Sequence, residues 1–428
     1  MKNMKYYQEP AKQIPLQACV DVLVVGAGPA GIAAAVSAAR MGADTMLIEQ
    51  QSSLGGIATS GLMSHWTGTA GSKLYHEILQ RSAKKNEGDW KDKVAVEISP
   101  EKLKLVFWEM ADEAGVQVQL YTFASDVIVE EGAVKGVILE SKSGRKAVMA
   151  KVVIDASGDG DIAAKAGVEY SVGREKDGRM QPATLMFKVA GVDEKRAVFL
   201  GSFESTYETE KGELQELASK HLSPPAGHVL LYRSTLPGIV TCNMTNCTDI
   251  DGTKAEDLTK AERICRKQMF EIEAFLREFV PGYENCYIIS SASLMGIRET
   301  RHFKGLYTLT EEDILSATKF EDWIVKDAYF NFDVHNITGH GLDKTGVQKH
   351  FSQKKGYQIP YRCVVPEKRE GLLLAGRNIS GTHMAHSNFR AMPICAGIGE
   401  GAGIAAALSC KHSCRLREVN PKEIQQYL

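Results

Sequence analysis

No CxxC pair occurs anywhere in the sequence, although it holds nine cysteines, at 19, 242, 247, 265, 286, 363, 395, 410 and 414. Their number is odd and their spacing irregular, so the simplest reading is free thiols in a reducing, cytoplasmic compartment. Charge of one sign is also lacking. The net charge is −2 and no basic tract stands out, so nucleic acid is not an expected partner. The first 19 residues carry lysines but no apolar core segment and no small-residue cleavage site, so a signal peptide is not expected. No hydrophobic run escapes punctuation. The longest, Val22–Val36, is broken by Gly26, Gly28, Pro29 and Gly31, which argues against a membrane span. Internal repeats and low-complexity segments are absent as well.

What is present begins with that same punctuated run. Val20–Val25 (VDVLVV) reads as a buried parallel strand, and a small-residue helix over Ala30–Met41 follows it. Between them lies Gly26-x-Gly28-x-x-Gly31. Gly26 permits a tight turn, Gly28 lets backbone approach a pyrophosphate, and Gly31 lets helix pack on strand; Pro29 and Ala30 open the helix. Its N-terminus offers free N–H groups to phosphates. Glu49, with Gln50 beside it, ends the next strand, Thr45–Glu49, where a carboxylate accepts hydrogen bonds from ribose hydroxyls. An acid there would repel a 2′-phosphate, which disfavours NADP.

Three further segments extend this site. Leu54–Gly61 is a second glycine-rich run, in which Gly55, Gly56, Ile57, Ala58 and Thr59 can lie along the far half of an extended dinucleotide, something a simple NAD dehydrogenase does not need. Val153–Asp161 runs from a buried strand into Ala156, Ser157, Gly158 and Asp161, small residues and an acid suited to backbone and hydroxyl contacts. Ala124 opens one of three strand-like runs, Val116–Tyr121, Ala124–Glu130 and Val134–Glu140, that precede the strand Lys151–Asp155. Last comes Leu373–Gly403. Here Gly376 ends a strand and Arg377 can neutralise pyrophosphate; if the dinucleotide is FAD, Met392 would face the flavin and a helix expected to start near Gly401 and Ala402 would aim its dipole at the N1/O2 region.

On Asp21–Gly31, Leu54–Gly61, Asp155–Asp161, Met295–Asp313 and Leu373–Ala407, the chain resembles FAD-dependent oxidoreductases of the glutathione-reductase superfamily, on the branch shared with fumarate reductase and succinate dehydrogenase flavoproteins. The resemblance implies non-covalent FAD and hydride transfer to or from a small organic substrate, with an electron donor or acceptor that the sequence does not identify. One departure is Arg377, which stands where the wider superfamily often has an acid that contacts the ribityl chain. Dithiol reductases are excluded, because Gly55–Gly68 holds no cysteine, and no second strand-GxGxxG-helix for NAD(P)H occurs. A non-redox flavoprotein of hydratase or isomerase type remains the alternative.

The expected fold is α/β: a Rossmann-like FAD-binding domain, a parallel sheet plus a small β-meander, with an inserted α+β substrate domain. A chain of 428 residues exceeds the roughly 250–300 that one core serves. The expected divisions are a lead-in to residue 20, FAD-binding segments at 21–172 and 358–428, and a substrate domain at 173–357, with one long helix over Ala255–Phe279. His383, His386 and Arg390 are the catalytic candidates, since their loop must pass the flavin ring. Arg298, Arg301 and His302 are substrate candidates, to hold an anion or to make salt bridges between domains. His65, beside Trp66, is a candidate to flank the flavin, with a covalent bond to it as the alternative. No third ligand accompanies His383 and His386 in sequence, so no metal is expected. The oligomeric state is not legible.

Overall fold

The computed structural model describes residues 7–82, 95–343 and 353–428. Its organising element is β1 (Leu16–Val25), whose last four residues are buried and hydrogen-bonded in parallel on both sides. One neighbour is β2 (Thr45–Ile48), reached through α1 (Pro29–Arg40). α2 (Pro100–Ala114) then leads into the edge strand β3 (Gln117–Gln119). That helix starts where Ser99 accepts a bond from Lys102 N–H and stops at Gly115, whose φ of 76° only glycine adopts freely.

The expected meander is present as β4 (Thr122–Glu130) and β5 (Ala133–Ser141), followed by β6 (Gly144–Asp155). The short strand expected at Lys151–Asp155 is therefore the end of a longer one. β6 has two roles. Gly144–Met149 pairs antiparallel with β5, while Val22↔Val152 and Val25↔Asp155 pair it in parallel with β1. That dual use explains why β1 begins at Leu16, opposite Ala147, and not at Val20.

A second hydrophobic core gathers residues between Ala183 and Ala292. It lies under a four-stranded antiparallel sheet of β7 (Phe187–Ala190), β8 (Leu231–Arg233), β9 (Val240–Cys242) and β10 (Tyr287–Ser291). The long helix falls at α3 (Ala255–Phe279), where the sequence placed it, and buries Ala261, Cys265, Met269, Ile272 and Leu276 on one stripe. From β11 (Arg301–Phe303) onward the chain rejoins the first core, through Phe303, Leu309, Ile324 and Val325. The second core thus ends well before residue 357, because the strand Trp323–Tyr329 packs on the first.

β12 (Leu372–Leu374) returns to the main sheet, parallel to β6, completing seven strands. After it come α4 (His383–Phe389) and α5 (Met392–His412). α5 corrects an expectation: it starts at Met392, nine residues before Gly401. It is long and apolar enough to cross a membrane, yet it is buried. Its glycines make that burial possible. A Cβ at Gly399 or Gly403 would strike the carbonyls of Ala30 or Ala34 on α1, and one at Gly401 would strike Ile324. All nine cysteines are free.

Candidate functional site

A cavity of about 880 Å³ runs from the carboxyl ends of β1, β2 and β6 to the wall of the second core. Gly26, Gly28, Pro29, Ala30, Glu49, Gln50, Gly56, Ile57, Ala124, Ala156, Ser157, Gly158, Asp161, Gly376, Arg377 and Met392 all line it. Glu49 is buried and fixed by two backbone donors, Ala27 N–H to Oε2 at 2.7 Å and Gln51 N–H to Oε1 at 2.8 Å. Gly28 would meet nothing within 4 Å if it carried a Cβ, so the space over the turn is open.

Two helices point their N-termini at this cavity, and neither has a side-chain cap. The N-cap of α1 is Gly28 and that of α5 is Ala391. Leading N–H groups that nothing caps, each carrying a share of the helix dipole, form a cradle for negative charge. The turn glycines, the buried carboxylate of Glu49 and two uncapped helix ends fit an extended dinucleotide along the groove.

Several expected contacts play other parts. Gly31 serves helix-on-strand packing, as its place in the motif predicts, and has no room for a side chain against the Gly26 carbonyl. Gly55, with φ of 105°, and Thr59, whose hydroxyl donates to the Leu54 carbonyl at 2.6 Å, shape the second glycine loop from behind, next to Ala58. Gly401 and Ala402 lie inside α5, away from its start; the small residues there serve helix packing, so that expectation is corrected. Arg377 donates to Asp159 at 2.7 Å, which compensates its charge. Asp155 is fully buried and accepts from Ser157 and Ala163, tying the loop to the following helical turn; burial pushes its carboxyl up to about 6.

The opposite wall is polar. Arg298, Asp333, His335, Arg390, Tyr232 and Asn243 line it. Arg298 donates to the Pro182 carbonyl and to Thr184 Oγ1, each at 2.7 Å. Among the described residues it has no carboxylate in ion-pair range. Burial, followed by the charge of Arg390, lowers its guanidinium to about 10. Arg390 instead pairs with Asp333 at 2.8 Å. Burial works to raise the Asp333 carboxyl, but His335 and Arg390 overcome it and hold the group far below its ordinary range. His335, lowered to about 4 by burial, is neutral near pH 7.

The expected catalytic histidines are not at this wall. His383 and His386 are buried on α4 and turn away from the cavity toward Glu299 and His302. His383 Nδ1 lies 2.5 Å and His302 Nε2 2.8 Å from Glu299 Oε1. Burial acts against a charged His383, yet the bond to Glu299 raises it. Burial lowers His386 well below the usual range. His302 is therefore not a substrate contact, and Arg301 is consumed by Asp161 at 2.9 Å and the Asp159 carbonyl at 2.8 Å. His65 stacks on Tyr232, with centroids 4.5 Å apart, and it is Tyr232 that lines the cavity.

Sequence reasoning overlooked Asp333, His335, Tyr232 and Asn243. The Asp-x-His pattern at 333–335 was a usable signal. Nothing local marked Tyr232 or Asn243, which reach the cavity only through the sheet of the second core.

A family model described as FAD dependent oxidoreductase matches residues 21–428. Among curated proteins, a thiamine thiazole synthase of Methanococcus maripaludis is 33% identical over 152 residues, covering 32% of this chain and 56% of the relative. A digeranylgeranylglycerophospholipid reductase of Methanopyrus kandleri is 34% identical over 152 residues, covering 32% of this chain and 37% of the relative. The matched stretch thus spans less than two thirds of either relative. The structure of a geranylgeranyl bacteriochlorophyll reductase-like protein from Thermoplasma acidophilum superposes with a TM-score of 0.51 at 17% identity, covering 96% of this chain and 82% of that one, a likeness of fold.

Proposed function

Starting from the fact that the chain belongs to the FAD dependent oxidoreductase family, we propose that it transfers a hydride between bound FAD and a small organic anion held by Arg298 and Arg390. The observation that carries this reading is Arg298. A half-buried guanidinium that faces a cavity and, among the described residues, donates only to uncharged oxygens is a positive charge without a paired carboxylate. Desolvated charges are costly unless paired, and a carboxylate entering from the cavity would supply the pair.

FAD, when bound, supplies the hydride chemistry. The protein's own residues would do the rest. Glu49 would accept the ribose hydroxyls, the first N–H groups of α1 would hold the phosphates, and the start of α5 at Met392 would favour negative charge on the ring. Arg298 and Arg390 would orient the substrate's anionic group. His335, neutral near pH 7 and hydrogen-bonded to Asp333 at 3.3 Å, would accept the proton that leaves the substrate as its hydride passes to the flavin, and in the reverse direction its protonated form would return it. Met63, Phe330 and Met392 add apolar side chains to the cavity lining.

The test is anaerobic. The bound flavin is reduced, and small ketones and enones are offered in matched pairs, with and without a carboxylate. Reoxidation by the carboxylates and not by their neutral partners supports the reading. Equal reoxidation by both would remove the anion from it.

A further inference from the structure

Behind the polar wall, and separate from the cavity, lies a compact group of donors that the proposed function leaves unused. Glu299, His302 and His386 are all buried, and one donor atom from each lies within 4.8 Å of the others. Hydrogen bonding only partly satisfies them. Glu299 Oε1 takes His302 and His383, and Oε2 takes Gln181 N–H at 3.1 Å. Nδ1 of His302 and Nδ1 of His386 are buried and have no hydrogen-bond partner among the described residues. A buried polar atom left unmet costs stability, and two on neighbouring imidazoles beside one carboxylate call for an explanation.

From this geometry we infer that Glu299, His302 and His386 form a binding site for a first-row divalent cation of the zinc type. Two imidazoles and one carboxylate are donors that such cations take, in contrast to the all-oxygen sets of magnesium and calcium. Tetrahedral ligation at about 2.0–2.1 Å places ligand atoms roughly 3.3 Å apart. The observed spacing therefore closes on a cation by small side-chain rotations. His383 then has a role of its own. It donates to Glu299 from the far side, as the outer hydrogen-bond partners of metal ligands do.

The site joins two segments that carry the cavity arginines. Arg298 immediately precedes Glu299, and Arg390 N–H donates to the His386 carbonyl at 3.1 Å. A cation there would lock the β11 approach to α4 and fix the separation of Arg298 and Arg390. The binding site itself does not depend on the substrate reading, because it is tested by metal content.

The full chain with its flavin is stripped with chelator, loaded with zinc, passed through gel filtration and analysed for bound metal. Wild type should retain about one zinc per chain. His302→Ala and His386→Ala should abolish that retention, and His383→Ala should weaken affinity by about 10–100-fold. Zinc-edge X-ray absorption on the wild type gives a readout that survives any variant failing to fold; it should show two imidazoles and no sulfur. The proposal is overturned if wild type retains no zinc, if folded variants retain as much as wild type, or if the bound metal shows cysteine sulfur.

Discussion

Arg390 donates through Nη2 to both the carbonyl oxygen and Oδ2 of Asp333, at 2.7 and 2.8 Å. The same carboxylate takes His335, whereas Arg298 keeps only uncharged partners. With His335 neutral, the polar wall presents two guanidinium groups against one carboxylate, and one positive charge is left for a ligand.

This imbalance predicts the behaviour of Asp333→Asn. Arg390 would lose its counter-charge, so the folded protein should lose about 1–3 kcal/mol, the cost of an unmet buried polar group. Sulfate should restore more stability to the variant than to the wild type, because a bound anion now compensates two charges. Urea unfolding with and without sulfate measures both effects. Equal stabilisation of the two proteins would mean that the wall does not bind anions.

Two glycines near α1 should respond in opposite ways. Gly28 has a φ of −68° and open space where a Cβ would stand, so Gly28→Ala should fold normally. The added methyl would occupy the place of the phosphates, and FAD affinity should fall steeply. Gly399→Ala instead pushes α5 against the α1 backbone and should cost about 1–3 kcal/mol of stability. Thermal unfolding of the apoproteins, together with flavin fluorescence titration, separates the cases. An apoprotein of Gly28→Ala less stable than that of Gly399→Ala would reverse the assignment.

That contrast also shows what the sequence made legible. The turn at Gly26–Gly31 could be read because its requirements are local: a buried strand, a helix start and an acid at the end of the next strand. The start of α5 could not. Gly397, Gly399, Gly401 and Gly403 have poor intrinsic helix propensity, and only tertiary packing against α1 and Ile324 explains a helix through them. The histidines failed for a related reason. Chain geometry brought residues 383–390 past the cavity, but the face that a seven-residue helix turns inward is set by Glu299, 84 residues earlier. Arg390, at the end of that helix, does reach the cavity.

Acid should destabilise the protein in a defined window. Burial lowers His65 to about 4, His228 to about 3 and His335 to about 4. Each therefore binds its proton more readily in the unfolded chain, so the stability these groups contribute is present above about pH 6.5 and is lost as pH falls through their folded values. Each can contribute up to about 1.4 kcal/mol per pH unit within that window. His383, which is raised, acts in the opposite direction. His65→Phe keeps the stack on Tyr232 and removes one titrating group, so its stability should fall less steeply between about pH 6.5 and pH 4. Urea unfolding across that range checks the slope, and identical slopes for variant and wild type would contradict the assignment.

The central claim, a flavin site paired with an anion site at Arg298, is tested most directly by one comparison. Wild type and Arg298→Leu, both loaded with FAD and reduced anaerobically, are mixed with a carboxylate substrate found in the matched-pair screen, and flavin reoxidation is followed in a single turnover. Removing a charge-assisted bond worth about 1.5–3 kcal/mol should raise the substrate concentration at half-saturation by roughly 10–150-fold, while FAD stays bound. An unchanged half-saturation concentration in the folded, flavin-loaded variant would contradict the account.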